Sequence, residues 1–158
     1  MVGLSGFAPD GNHFGGYDAW AFKIDSTGNL QWEKLFGGSG DETFWQIFPT
    51  GEGGYIFGGH STSEVEGNKT APNYGSSDMW VVKVDSNGVK QWDKTYGTSS
   101  EEYLRTMVSL PDGGFLLGGE SGGGIDGTRT AVSRGSFDYW VVKTDHWRPT
   151  TVTRHLIS

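Results

Sequence analysis

Between residues 18 and 25, Trp20, Phe22 and Ile24 alternate with smaller or polar residues, a period of two that predicts a half-buried strand. Three more strand-like stretches follow at residues 30–36, 42–48 and 54–60. The same order returns at residues 78–85, 89–96, 102–110 and 114–120. Every break between them carries Gly, Pro, Asn, Asp or Ser, the residues that tolerate turn geometry. No stretch of useful length carries the 3.6-residue period of a helix.

The pattern is a true repeat. Asp18-Ala-Trp20-Ala-Phe-Lys23-Ile-Asp25 returns as Asp78-Met-Trp80-Val-Val-Lys83-Val-Asp85 and again as Asp138-Tyr-Trp140-Val-Val-Lys143-Thr-Asp145, each time 60 residues on. Residues 18–60 and 78–120 share 16 identities over 43 positions without a gap, which chance does not produce. Four short strands make one antiparallel meander, and such a sheet hides both faces only between neighbours of its own kind. The predicted fold is therefore an all-β protein, a β-propeller of four-stranded antiparallel blades, with a β-solenoid or β-sandwich as the alternative. The reading divides the chain into an N-terminal partial repeat (1–17) with an outer strand and loop, blades at 18–77 and 78–137, and a first strand plus divergent tail at 138–158. The long Gly/Ser/Asn-rich stretches 61–77 and 121–137 are expected to run from one blade to the next.

Composition sharpens this picture. Gly, at 27 of 158 residues, would suit a disordered chain, but seven Trp, nine Phe and six Tyr argue for a packed core. There is no Cys, so neither a disulfide nor a thiolate metal site can form. A net charge of −7 disfavours nucleic acid as a partner. No run approaches the ~20 apolar residues of a membrane helix, and residues 1–10 lack a signal-peptide pattern.

Residues that recur in every repeat read as structural, because an active site normally breaks symmetry. This covers Asp18, Asp78 and Asp138 with Asp25 and Asp85, which could ring a channel with carboxylates but more simply cap turns. It also covers Gly28 and Gly88, and Trp20, Trp80, Trp140, Trp32 and Trp92, whose large side chains suit packing between blades. Lys23, Lys83 and Lys143 are expected to pair with Glu42 and Glu102. Better contact candidates are positions where the repeats differ: Trp45 against Arg105, Thr43 against Tyr103, His60 against Glu120, and Tyr74 against Arg134. Trp45, Arg105, Tyr103, His60 and Tyr74 are taken as the candidate ligand-binding set.

Catalytic and cofactor signals are missing. His13, His60, His146 and His155 lack zinc-site spacing, no Gly-x-Ser-x-Gly elbow occurs, and the Gly-rich runs lack the Lys-Ser/Thr of a phosphate loop. Asp41-Glu42 and Glu101-Glu102 are neighbours whose side chains leave a strand on opposite faces, so they do not form a facing acid–base pair. No cofactor and no metal are expected.

The string Asp-x-Trp-x-x-Lys-x-Asp-x-x-Gly-x-x-x-Trp-x-Lys, followed by a Gly-containing break, a Glu and then Gly-Gly-x-x-x-Gly-Gly, resembles propeller repeats of large secreted and surface proteins of Bacteroidetes, similar to the SBBP repeats. The segments ending at Trp32 and Trp92 also resemble the tryptophan-docking motif of quinoprotein propellers. The resemblance spans residues 18–145 and implies a secreted or cell-surface location without specifying a ligand. It fails after Asp145, where Arg148 and Val152 stand in place of the expected Gly and Trp. Propellers close with 4–8 blades, so the reading expects a homo-oligomer, a dimer completing a shared blade, with a fragment of a larger propeller as the competing explanation. The expected function is a non-enzymatic binding or scaffold module for a glycan or surface protein. A purely structural repeat and a propeller enzyme of glycan-cleaving or quinoprotein-like type are the alternatives.

Overall fold

The computed structural model describes residues 2–5, 13–144 and 154–155, and these are all-β, in three antiparallel sheets with no helix. The first sheet is β1 (Val2–Ser5), β2 (Ala19–Ile24) and β3 (Leu30–Phe36). The second is β4 (Glu42–Pro49), β5 (Tyr55–Ser61), β6 (Asp78–Val84) and β7 (Lys90–Tyr96). The third is β8 (Glu102–Ser109), β9 (Phe115–Ser121), β10 (Asp138–Thr144) and β11 (Arg154–His155). Each is a meander in chain order. The rest of the N-terminal segment and of the tail, including His146, lies outside the described residues.

The strands form where the alternation predicts them, but the sheets are cut half a repeat away from the expected place. Each four-stranded sheet takes the last two strands of one repeat and the first two of the next. The stretches 61–77 and 121–137 therefore join neighbouring strands of one sheet, β5 to β6 and β9 to β10, and do not run between sheets. The short Gly-containing breaks after β3 and β7 make the crossing instead. Each long connection is needed as a cover over that crossing. Asn68 Oδ1 accepts from the Gly37 amide at 3.0 Å while its Nδ2 donates to the Leu35 carbonyl at 2.7 Å. Thr128 repeats the first of these contacts on Gly97 at 2.9 Å. Each terminal strand pairs with the first or last long strand of its own chain, β1 on β2 and β11 on β10.

Alternation along β6 explains the core. Met79 and Val81 point to one side, Trp80, Val82 and Val84 to the other, and all five are buried. One apolar layer joins the first and second sheets through Ala19, Ala21, Phe36, Phe44, Phe57, Trp80 and Val82. The other joins the second and third through Met79, Val81, Tyr96, Leu104, Leu117, Trp140 and Val142. The middle sheet is thus covered on both faces. Trp32 strengthens the first junction, because its Nε1 donates to the Ser86 carbonyl of the β6–β7 turn at 3.0 Å. Gly88 in that turn has φ +76°, and a Cβ there would lie 2.9 Å from the Trp32 ring, so the indole fixes a turn only glycine can complete.

Candidate functional site

Two β-bulges, repeat equivalents of each other, build an exposed ribbon of side chains. The β4–β5 register slips between Phe44 and Gln46, and the β8–β9 register between Leu104 and Thr106. Trp45 and Arg105 are the extra residues, and a bulge re-aims the side chain it carries. Trp45, 57% exposed, lies over His60 with ring centroids 6.4 Å apart, and its Nε1 donates to His60 Nδ1 at 3.4 Å. Across the sheet junction the Tyr103 ring meets His60 edge-on at 5.4 Å. The Arg105 guanidinium sits over the Tyr103 ring, also at 5.4 Å. Arg105 then binds Glu120 with two hydrogen bonds, at 3.2 and 3.3 Å.

The ribbon therefore runs Trp45, His60, Tyr103, Arg105, Glu120 and brings together four of the five candidate contact residues. Tyr74 stands apart on the β5–β6 connection, its amide bound to Asp78 at 2.5 Å. Burial, helped by the Arg105 charge, lowers the His60 pKa, so the imidazole is neutral near pH 7 and free to accept from Trp45. The ribbon offers an open indole face, a neutral imidazole, a phenol and a paired guanidinium and carboxylate.

A second polar cluster repeats at the two sheet junctions and is buried. Glu102 accepts the Thr98 amide at 2.6 Å and the Thr98 and Ser121 hydroxyls at 2.7 Å each. Glu42 accepts the Gly38 amide and the hydroxyls of Ser61 and Ser63. Against each glutamate lies the aspartate that opens the central strand of the preceding sheet, Asp78 facing Glu102 and Asp18 facing Glu42, with Gly97 or Gly37 leaving the space. Burial, then the Glu102 charge, pushes Asp78 up to about 7, and burial also raises Asp18. Beside this network lie two buried cations that the sequence reading did not single out. Lys69 donates to the Ala71 carbonyl at 2.6 Å, and Arg129 binds Asp138 at 2.9 Å. Their signal is a basic residue recurring at the same place in otherwise Gly/Ser-rich connections.

The expected pairing of the repeat lysines with Glu42 and Glu102 does not occur. Lys83 pairs with Glu52 and Lys143 with Asp112, while Lys23 donates to the Ser86 carbonyl and lies over the Tyr55 ring. The reason is position along the strand: the glutamates sit beside the first residue of the central strand, the lysines near its last. Asp25 and Asp85 accept amides of their own turns, from Thr27 and Asn29 and from Asn87 and Val89 respectively. Asp41 and Glu42 diverge, the first to the Tyr17 amide at the surface and the second into the junction. Among the described residues no three His, Asp or Glu side chains converge as metal ligands would, and no helix is long and apolar enough to cross a membrane.

A cavity of about 260 Å³ opens at the other end of the strands, between the β4–β5 and β8–β9 turns. Its charged lining residues, Lys83 and Glu52, bind each other at 2.7 Å, and it contains no member of the ribbon. The ribbon is the better candidate because its polar and aromatic groups face outward together. No protein-family model matches the chain, and no curated protein matches it.

Proposed function

We propose that this chain is a non-enzymatic binding and scaffold module of β-propeller type, belonging to a secreted or cell-surface bacterial protein, that holds a glycan on the ribbon from Trp45 to Glu120. The observation that carries the reading is the meeting, across a sheet junction, of residues that break the repeat's symmetry. The repeat keeps Asp, Gly, Glu and Ser at the junctions and varies the bulged position and its neighbours, which is where a ligand-specific surface belongs. A sugar ring presents a face of C–H groups to the electron-rich face of an indole, and Trp45 offers that face to solvent. Arg105 and Glu120 supply donors and acceptors for ring hydroxyls beside it.

Glycan-array screening followed by calorimetry tests the assignment. Trp45→Ala is expected to weaken the bound glycan at least tenfold, about 1.4 kcal/mol, and to leave the unfolding midpoint unchanged because the side chain is exposed. An array without a single bound glycan, or a Trp45→Ala variant that binds as the parent does, would reject the glycan reading.

A further inference from the structure

Among the described residues the three sheets leave two unpartnered faces, and the repeat itself shows what covers each of them. The outer face of the third sheet carries Tyr139, Val141 and Val108, which are 93%, 41% and 51% exposed. Sixty residues earlier their equivalents are Met79, Val81 and Phe48, which face the third sheet and pack in the second apolar layer. At the opposite end, the outer face of the first sheet carries Trp20 and Phe22, whose rings pack at 4.8 Å and are only half-buried. Their equivalents Trp80 and Val82 are fully buried beneath the first sheet. One free face is thus of the kind that receives a following sheet, and the other is of the kind that such a following sheet presents.

Charge at the junction points the same way. Asp18 and Asp78 each meet a glutamate from the first strand of the next sheet. Their equivalent Asp138 is paired within its own sheet with Arg129 at 2.9 Å, and the Arg134 amide, followed by Arg129, lowers its pKa. A sheet stacked on this end therefore needs no glutamate strand. Among the described residues the first sheet, ordered β1-β2-β3, carries no strand in the place that β4 and β8 occupy in theirs.

We infer that a second copy of this chain stacks head-to-tail, seating its Trp20 and Phe22 face on the Tyr139, Val141 and Val108 face of the first. The contact repeats the apolar layer of the two internal sheet junctions, with the Asp138–Arg129 pair in place of their carboxyl pair. Two chains of three sheets give six, within the range in which radially stacked sheets close, and both ends are then covered by the same kind of contact.

Light scattering coupled to size exclusion, on the 17.2 kDa chain and two surface variants, tests this. The parent is expected to run as a discrete dimer. Tyr139→Lys and Phe22→Lys alone are each expected to run as monomers with unchanged circular dichroism. Mixed together they are expected to form a one-to-one pair, because one undamaged contact remains in a head-to-tail arrangement. A monomeric parent, whose open faces then belong to other repeats, overturns the inference. A dimer that survives Tyr139→Lys, a Phe22→Lys dimer, or folded monomeric variants that fail to pair when mixed overturns it as well.

Discussion

Replacing Asp78 by Asn converts the buried carboxyl pair into a measurable pH dependence. Asp78 is fully buried, its Oδ2 accepts the Tyr74 amide at 2.5 Å, and its Oδ1 accepts no hydrogen bond, so burial, with Glu102 facing it, favours a proton there. The folded protein holds that proton up to about pH 7, whereas the unfolded chain releases it near 3.8. Between those values the native state binds more protons than the unfolded one, so stability falls as pH rises, and the loss is complete above about 7. The ceiling is about 4 kcal/mol, roughly three pH units at 1.36 kcal/mol each. Coupling divides that cost between the two carboxyls, and about 2 kcal/mol is the expected loss.

Asparagine cannot ionise, yet its Oδ1 can accept the Tyr74 amide and its Nδ2 can donate to Glu102 in place of that proton. Urea unfolding at pH 5 and pH 8.5, at fixed ionic strength and protein concentration, compares the two proteins. Asp78→Asn is expected to match the parent at pH 5 and to exceed it by about 2 kcal/mol at pH 8.5, an increase of roughly 4–8 °C in melting temperature. His60, whose lowered pKa adds stability as pH rises through 6.5, and Asp18, whose raised pKa acts like that of Asp78, are common to both proteins and cancel in the difference. A difference between variant and parent that is the same at both pH values would refute the buried-proton account.

Two further substitutions probe the framework. Asp93 is held at about 2 despite its burial, by hydrogen bonds from Lys90, Thr70, the Ala71 amide and the Trp80 indole. Its contribution is present above about pH 4 and is lost as pH falls towards 2. Asp93→Asn is therefore expected to cost about 3 kcal/mol at neutral pH and to flatten the acid limb of the stability curve, read by urea unfolding between pH 2 and 5. Gly97→Ala drives a methyl group into the Asp78 carboxyl and is expected to cost at least 3 kcal/mol, whereas Gly124→Ala enters open space and is expected to change stability by less than about 0.5 kcal/mol. Equal effects of the two glycine substitutions on the thermal midpoint would show that the close approach at Gly97 is not structural.

The strands were legible to within a residue or two because period-two alternation and turn residues are both local signals. Leu30–Phe36 coincides with its predicted bounds, and Glu42–Pro49 and Phe115–Ser121 run only a residue past theirs. The partition into sheets was not legible, since a repeat fixes which positions are equivalent but carries no mark of where a sheet begins. Strand pairing, with the contacts of Asn68 on Gly37 and Leu35 and of Thr128 on Gly97, distinguishes a cover from a crossing. Asymmetry between the repeats did pick out Trp45, His60, Tyr103 and Arg105. It could not bring them together, because the two bulges are defined by the register of strand pairing across β4–β5 and β8–β9, which the sequence does not state. The lysine–glutamate pairing failed for a related reason, as opposite charge in one repeat says nothing about which end of a neighbouring strand each group reaches.

The three aspartates Asp18, Asp78 and Asp138 show how far a symmetric sequence can diverge in its chemistry. Each opens the central strand of its sheet or immediately precedes it, and each carboxylate accepts the amide four residues before it. Yet the first two are raised and the third is lowered. The difference lies first in burial, which raises Asp18 and Asp78, with Glu42 or Glu102 adding to it, whereas the Arg134 amide and then the Arg129 guanidinium lower Asp138. Burial beside a second carboxyl favours the protonated form of both Asp18 and Asp78, and carries Asp78 up to about 7. A carboxyl answered by an arginine needs nothing from the next sheet. The internal junctions each set an aspartate against a glutamate of the next sheet, whereas the corresponding Asp138 of the third sheet is paired with Arg129 of its own connection.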